Sequence, residues 1–134
     1  MKTLKYFFLF VDIGFILYWV ITLFHLIPDE FLFNDYKNSI LVNWNWSFFP
    51  LDILVSATGI YSVYLHSKGK SNWMFYALFS LIFTSISGLQ AIAYWVFAKD
   101  FDLSWWLPNL FLLIYPIFFI PTIIQKIKNN GLAS

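Results

Sequence analysis

Residues 43–59 read NWNWSFFPLDILVSATG. The segment starts polar and aromatic, passes a serine and a proline, and then runs apolar with one acid, Asp52, inside it. Pro50 suits the first turn of a helix, where its missing N–H costs little. Ser47 is a good N-cap, because a hydroxyl can accept from an unpaired first-turn amide. A carboxylate carried into a membrane helix is costly, and so it marks a candidate functional site. Asp52, Ser56 and Gly59 stand at i, i+4 and i+7 and share one stripe. Small residues there let another helix come close. Asp52 also suits the positive end of the helix dipole, a purely structural reason for its place.

The composition explains why a membrane is the right frame. The chain has 134 residues, of which 60% are hydrophobic, 24% aromatic and 11% charged. Soluble domains carry roughly 25% charged residues. The length suits one domain, residues 1–134, without an appended soluble module. The absence of cysteine excludes disulfides, thiolate metal sites and a cysteine nucleophile. His25 and His66 are far apart, so no metal site and no cofactor is expected. A net charge of +1 argues against a nucleic-acid partner, and all eight basic residues are lysine, so no guanidinium clamp is available.

Four apolar runs reach about 20 residues, the length that crosses the hydrocarbon as a helix. They cover about 6–27, 48–66, 73–97 and 103–125. The first follows Lys2 and Lys5 as a signal peptide would, but it is too long for one and no cleavage site follows. The expected fold is therefore all-α, an integral-membrane four-helix bundle. Lysines alternate along it: Lys2 and Lys5, then Lys37, then Lys68 and Lys70, then Lys99, then Lys126 and Lys128. The segments with two lysines face the cytoplasm by the positive-inside rule, which puts both termini there. The segments with one lysine carry Asp29, Glu30 and Asp35, and Asp100 and Asp102. Trp44, Trp46, Trp73, Trp105 and Trp106 lie near span ends, as an interfacial aromatic belt does.

Taken in order, the first span brings Asp12, on one face with Trp19 and Leu26. Asp12 either snorkels toward Lys5 and the inner surface or binds a proton or cation inside the bundle. His25 closes this span. The loop 28–45 is long for so small a bundle, and its apolar FLF and Ile40–Val42 segments suit the membrane surface or a cap over the bundle mouth. The third span has Ser80, Thr84 and Gly88 at four-residue spacing, a packing seam. Gln90 needs partners in hydrocarbon and is expected to point inward. The fourth span carries Asn109, and Pro116 and Pro121 are expected to loosen it.

The alternating directions of the spans put His25, Asp52, Gln90 and Asn109 in the outer half, one from each helix. Trp46, Tyr94 and Trp105 can ring them, with Trp44, Trp95 and Trp106. Such a group either forms a closed hydrogen-bond network or surrounds a ligand. An aromatic wall with one carboxylate suits an amphiphilic cation. An acid–base pair of Asp52 and His25 is chemically possible, but no catalytic motif accompanies it.

The segments DIGFILYW (12–19), HLIPDEFLFNDY (25–36), NWNWSFFPLD (43–52), SGLQAIAYW (87–95) and DFDLSWWLPNLFLLIYP (100–116) resemble the YvaD-like family of small four-span bacterial membrane proteins. The resemblance covers nearly the whole chain. It implies a bacterial, Gram-positive source and names no activity. A first span ending in His–x–x–Pro, a long outer loop, an acidic second span and a proline-rich fourth span are also similar to the emopamil-binding and sigma-2 receptor superfamily. That resemblance implies a four-span fold with a pocket for a lipophilic amine near Asp12, Asp52 and Asn109. The acid and histidine pairs of the superfamily's isomerases have no counterpart here.

Together these readings give a multi-pass protein of the cell membrane, in contact with lipid, that binds a lipophilic or amphiphilic small molecule through Asp52, His25, Gln90, Asn109, Trp46, Tyr94 and Trp105. The alternatives are a small proton-coupled transporter that uses Asp12, and an interaction or immunity protein that docks on a membrane-protein partner or a second copy of itself. An isomerase is a further possibility, with no residues to assign to it.

Overall fold

The computed structural model describes residues 1–31 and 37–133, with the side chains of 132 and 133 left aside. Asp35, Leu32 and Phe33, read above as loop charge and an apolar surface segment, lie outside the described residues. Five α-helices follow in order: α1 (Lys2–Leu23), α2 (Ser39–Ser47), α3 (Phe49–Ser67), α4 (Trp73–Phe97) and α5 (Leu103–Ala133). A short 3-10 turn, Asp29–Phe31, follows α1. Only Phe48 separates α2 from α3, so the two form one span, and four helical stretches are long and apolar enough to cross a membrane. The fold is an all-α multi-pass membrane bundle.

Two helix starts depart from the sequence reading. Ser47 does not cap α3; its hydroxyl donates back to the Trp44 carbonyl, and Phe48 is the N-cap position of α3, with no side-chain cap. Helical backbone already present upstream supplies the carbonyls that a cap would otherwise replace: the Phe48 N–H bonds Asn45 O. Helix α2, which falls in the segment read as loop, is capped by Asn38, whose side-chain oxygen accepts from the Ile40 amide at 3.0 Å. Pro50 does fall in the first turn of α3. The third span, 73–97, has the bounds read from the sequence.

In the bundle, α3 packs between α1 and α4, and α5 lies against α4. The ring is closed by aromatic contacts between α1 and α5, with Phe7 stacked on Tyr115 at 5.0 Å. Small residues set the close approaches. A Cβ on Gly88 would stand 2.6 Å from the Asn109 carbonyl oxygen and the Leu113 amide, so only glycine lets α4 touch the α5 backbone there. Hydroxyls then bond across helices: Ser80 to Val55 O, Ser62 to Trp73 O, and Ser85 to Leu113 O, at 3.0–3.1 Å. The last reaches the turn that Pro116 weakens, and α5 runs on through Pro108, Pro116 and Pro121 as one helix.

The interior is layered along the bundle axis. An apolar plug that includes Leu4, Phe8, Leu65, Trp73, Met74 and Ile123 fills the lysine-rich end. Polar side chains (Asp12, Ser56, Ser80, Thr84 and then Asp52 and Ser87) occupy the middle. A cavity opens at the aspartate-rich end. The outside is apolar nearly all round, with Phe10, Phe97 and Phe118 each more than 70% exposed, as lipid-facing side chains are.

Candidate functional site

The cavity holds about 330 Å³. That volume lies at the small end of the range for small-molecule pockets, about 300–1,000 Å³. Every helix contributes to its wall: Phe15, Tyr18 and Trp19 from α1, Leu41, Trp44 and Asn45 from α2, Asp52 from α3, Ser87, Ala91 and Trp95 from α4, and Ser104, Trp105, Pro108 and Asn109 from α5. The wall is aromatic, and Asp52 is its one ionisable acid.

Asp52 sits in the first turn of α3, 4% exposed. One carboxylate oxygen accepts the Trp19 indole N–H at 2.9 Å, and the other accepts the Ser87 hydroxyl at 3.1 Å. A carboxylate offers about four acceptor sites, and two of them are used, at a residue that lines the cavity. The magnitudes show why it is tolerated. An acid at the centre of a membrane helix costs about 2.5–3.5 kcal/mol on insertion scales. Two hydrogen bonds to a charged group contribute about 1.5–3 kcal/mol each. Asp52 is thus held in place by its neighbours with acceptor capacity to spare.

Helix α2 lines one side of the mouth. Trp44 and Trp46, two residues apart, project from opposite sides of the helix. Trp44 stacks on Tyr94 at 4.1 Å and packs edge-on to Trp95, while Trp46 packs on Trp19 at 5.0 Å. Asn45 joins them by exchanging hydrogen bonds with the Tyr18 hydroxyl at 3.2–3.4 Å. Of Ile40–Val42, Leu41 lines the cavity and Ile40 is exposed.

Not all of the residues singled out from the sequence meet here. Asp52, Asn109 and Trp105 line the cavity, and Tyr94 and Trp46 stand behind it as packing for α2. Asn109 donates to the Trp105 carbonyl at 2.7 Å. His25 does not join them. The first span stops at Leu23 rather than near 27, and His25 adopts a left-handed φ of 50° beyond its end. It faces outward and pairs with Asp29 at 3.2 Å. Gln90 also departs from expectation, since it lies exposed on α4 rather than pointing inward. The buried stripe of α4 is Ser80, Thr84, Ser87, Gly88, Ala91 and Trp95. At about 100° per residue, Gln90 falls about 110° from the centre of that stripe.

Asp12 is the opposite of Asp52. It is 0% exposed, and neither carboxylate oxygen has a hydrogen-bond partner. It makes no ion pair with Lys5, which is exposed. Its carboxylate fills a notch made by Gly59: a Cβ there would stand 1.9 Å from Oδ2. The Tyr115 hydroxyl, in electrostatic reach of it, is buried, with the Thr84 side chain as its neighbour. The Asp12 carboxylate lies beside Gly59, seven residues along α3 from Asp52, which is about 10 Å of helix rise.

Trp19 and Ser87, the two donors to Asp52, escaped the sequence reading as site residues. The signal for Trp19 was present: it shares a helix face with Asp12, so it points inward, and a buried indole N–H needs an acceptor. Ser87 gave no such signal among several small polar residues of α4.

The model of a family of unknown function, DUF5360, matches residues 4–130. The chain belongs to that family. It is similar to a protein of Bacillus subtilis (strain 168) described as uncharacterized protein YvaD, with 52% identity over 126 residues that cover 94% of this chain and 95% of that protein. No solved structure matches.

Proposed function

We propose that this family member binds a lipophilic or amphiphilic cation of modest size in the aromatic cavity, with Asp52 as its charged anchor. The observation that carries the reading is a carboxylate held by two donors at the wall of a tryptophan-rich cavity. A cation there meets an ion pair and aromatic faces in a weakly polar setting, where cation–π contacts reach about 2 kcal/mol. Trp105 and Trp44 supply the faces, and Asn109 supplies a polar contact for the head of the ligand. The cavity opens at the aspartate-rich end, and the apolar plug separates it from the lysine-rich end. In the cell membrane, with the lysine-rich end cytoplasmic, the ligand would enter from outside.

The test is mass spectrometry of small molecules that co-purify with the wild type, with folded Asp52→Asn, and with Ala91→Leu, which fills the cavity wall without touching the carboxylate. A cationic compound enriched on the wild type and lost from both variants is the expected result. Equal recovery of bulk lipid alone from all three proteins would overturn the reading.

A second reading, proton-coupled transport through Asp12, is favoured by one specific observation. A fully buried carboxylate without a partner is an arrangement associated with intramembrane proton relays. Proton uptake into proteoliposomes that disappears in Asp12→Asn would support it, and uptake that survives in that variant would rule it out.

A further inference from the structure

A second concavity, of about 450 Å³, lies at the lysine-rich end, away from the Asp52 cavity. It is formed by the turn between α3 and α4 and by the last turns of α5. His66, Lys70, Ser71, Lys126, Asn129 and Asn130 supply its polar wall, and Trp73 and Met74 its apolar one. We propose that this groove binds a phosphate-bearing anion, the headgroup of an anionic phospholipid.

The charge balance of the groove argues for an anion. Residues 53–99 and 103–134 contain no acid at all, so neither the turn, α4 nor α5 carries a counter-charge to Lys70 and Lys126. Lys126 and, from α1, Lys5 both lie in electrostatic range of His66. The His25–Asp29 pair lies at the other end. The polar wall is rich in donors: ammonium groups, a hydroxyl and side-chain amides. Lysine recognises phosphate as a point charge, without the planar fork that a carboxylate would match.

The position argues for a lipid as the source. The groove lies where a membrane-spanning bundle meets the headgroup layer, and basic pockets between membrane helices on the cytoplasmic side recruit anionic headgroups. Trp73, whose ring is packed by His66 at 5.1 Å, gives the groove an apolar edge next to its cationic wall. A molecule with a phosphate head and an apolar body fits both.

The experiment uses the full chain in a neutral detergent. Binding is read from the thermal midpoint during titration with phosphatidylglycerol, with phosphatidylcholine of the same acyl chains, and with inorganic phosphate. The proteins are the wild type, Lys70→Gln/Lys126→Gln, and Lys2→Gln/Lys128→Gln, which removes the same charge from that end outside the groove. Phosphatidylglycerol is expected to raise the wild-type midpoint where phosphatidylcholine does not. Its apparent affinity is expected to fall roughly tenfold or more in Lys70→Gln/Lys126→Gln, and to hold in Lys2→Gln/Lys128→Gln. Equal responses to the two lipids, or equal losses in the two variants, would overturn the proposal in favour of a diffuse surface field. A full response to inorganic phosphate, with nothing added by the lipid, would assign the groove to a free anion and overturn the lipid assignment.

Discussion

Two acids in one bundle show how much the surroundings of a residue decide. Asp52 has two donors and a cavity before it, whereas Asp12 has a glycine notch and no donor. Trp19→Phe removes the indole N–H and also leaves a smaller ring against Trp46 and Phe49. It should destabilise the protein by about 1–3 kcal/mol, since it leaves a buried charged acceptor one bond short. A lowered thermal midpoint in detergent, with the helical signal intact, is the readout. Gly59→Ala should be as damaging for a different reason. The new methyl would overlap the Asp12 carboxylate, and overpacking of this kind costs about 1–3 kcal/mol. The loss should shrink when Gly59→Ala is combined with Asp12→Ala, which removes the closest contact and leaves the Ser80 hydroxyl 2.9 Å away. Additive losses in the double variant would show that the notch has some other purpose.

At the scale of elements, α2 is the one whose role depends on its neighbours. Nine residues are too few for a helix to be stable by itself in water, and its hold on the bundle comes from Trp44, Trp46 and Asn45. The two rings grip different partners, α4 on one side and α1 on the other, and so fasten the helix between them. Trp44→Ala should loosen the α4 side and admit solvent. A cysteine placed at Ala91, on the cavity wall and 5% exposed, would report this. Its reaction with a water-soluble maleimide should be several-fold faster when Trp44→Ala is also present. An unchanged rate would mean that the mouth is open without α2. Gly88 has a comparable role for α4 and α5, where backbone meets backbone and no side chain can yield.

For the whole molecule, the distribution of charge sets how it sits in a membrane. Lys2, Lys5, Lys68, Lys70, Lys126 and Lys128 gather at one end, and Asp29, Glu30, Asp100 and Asp102 at the other. The bias toward lysine predicts that the first end faces the cytoplasm. The chain has no cysteine, so single cysteines can be introduced cleanly. Glu30→Cys should react with a membrane-impermeant maleimide on intact cells. Ser71→Cys should react only after permeabilisation. The reverse pattern would invert the bundle and place the Asp52 cavity on the cytoplasmic side.

The membrane class, the four spans and the seam of small residues were legible in the sequence, because each rests on local composition and helical period. Apolar runs of membrane length have few alternatives in hydrocarbon, where every backbone group must be bonded within the segment. The same logic marked Asp12 and Asp52 as exceptional before any contact was known. What only the tertiary structure decided is which polar groups meet. The rotation of α4 puts Ser87 against Asp52 and leaves Gln90 outside, although three residues separate them. The end of α1 at Leu23 turns His25 away from the mouth. The pairing of Trp19 with Asp52 spans 33 residues and two helices. Helical period states which residues share a face, but the face that turns inward depends on how four helices pack together, and no single segment contains that information.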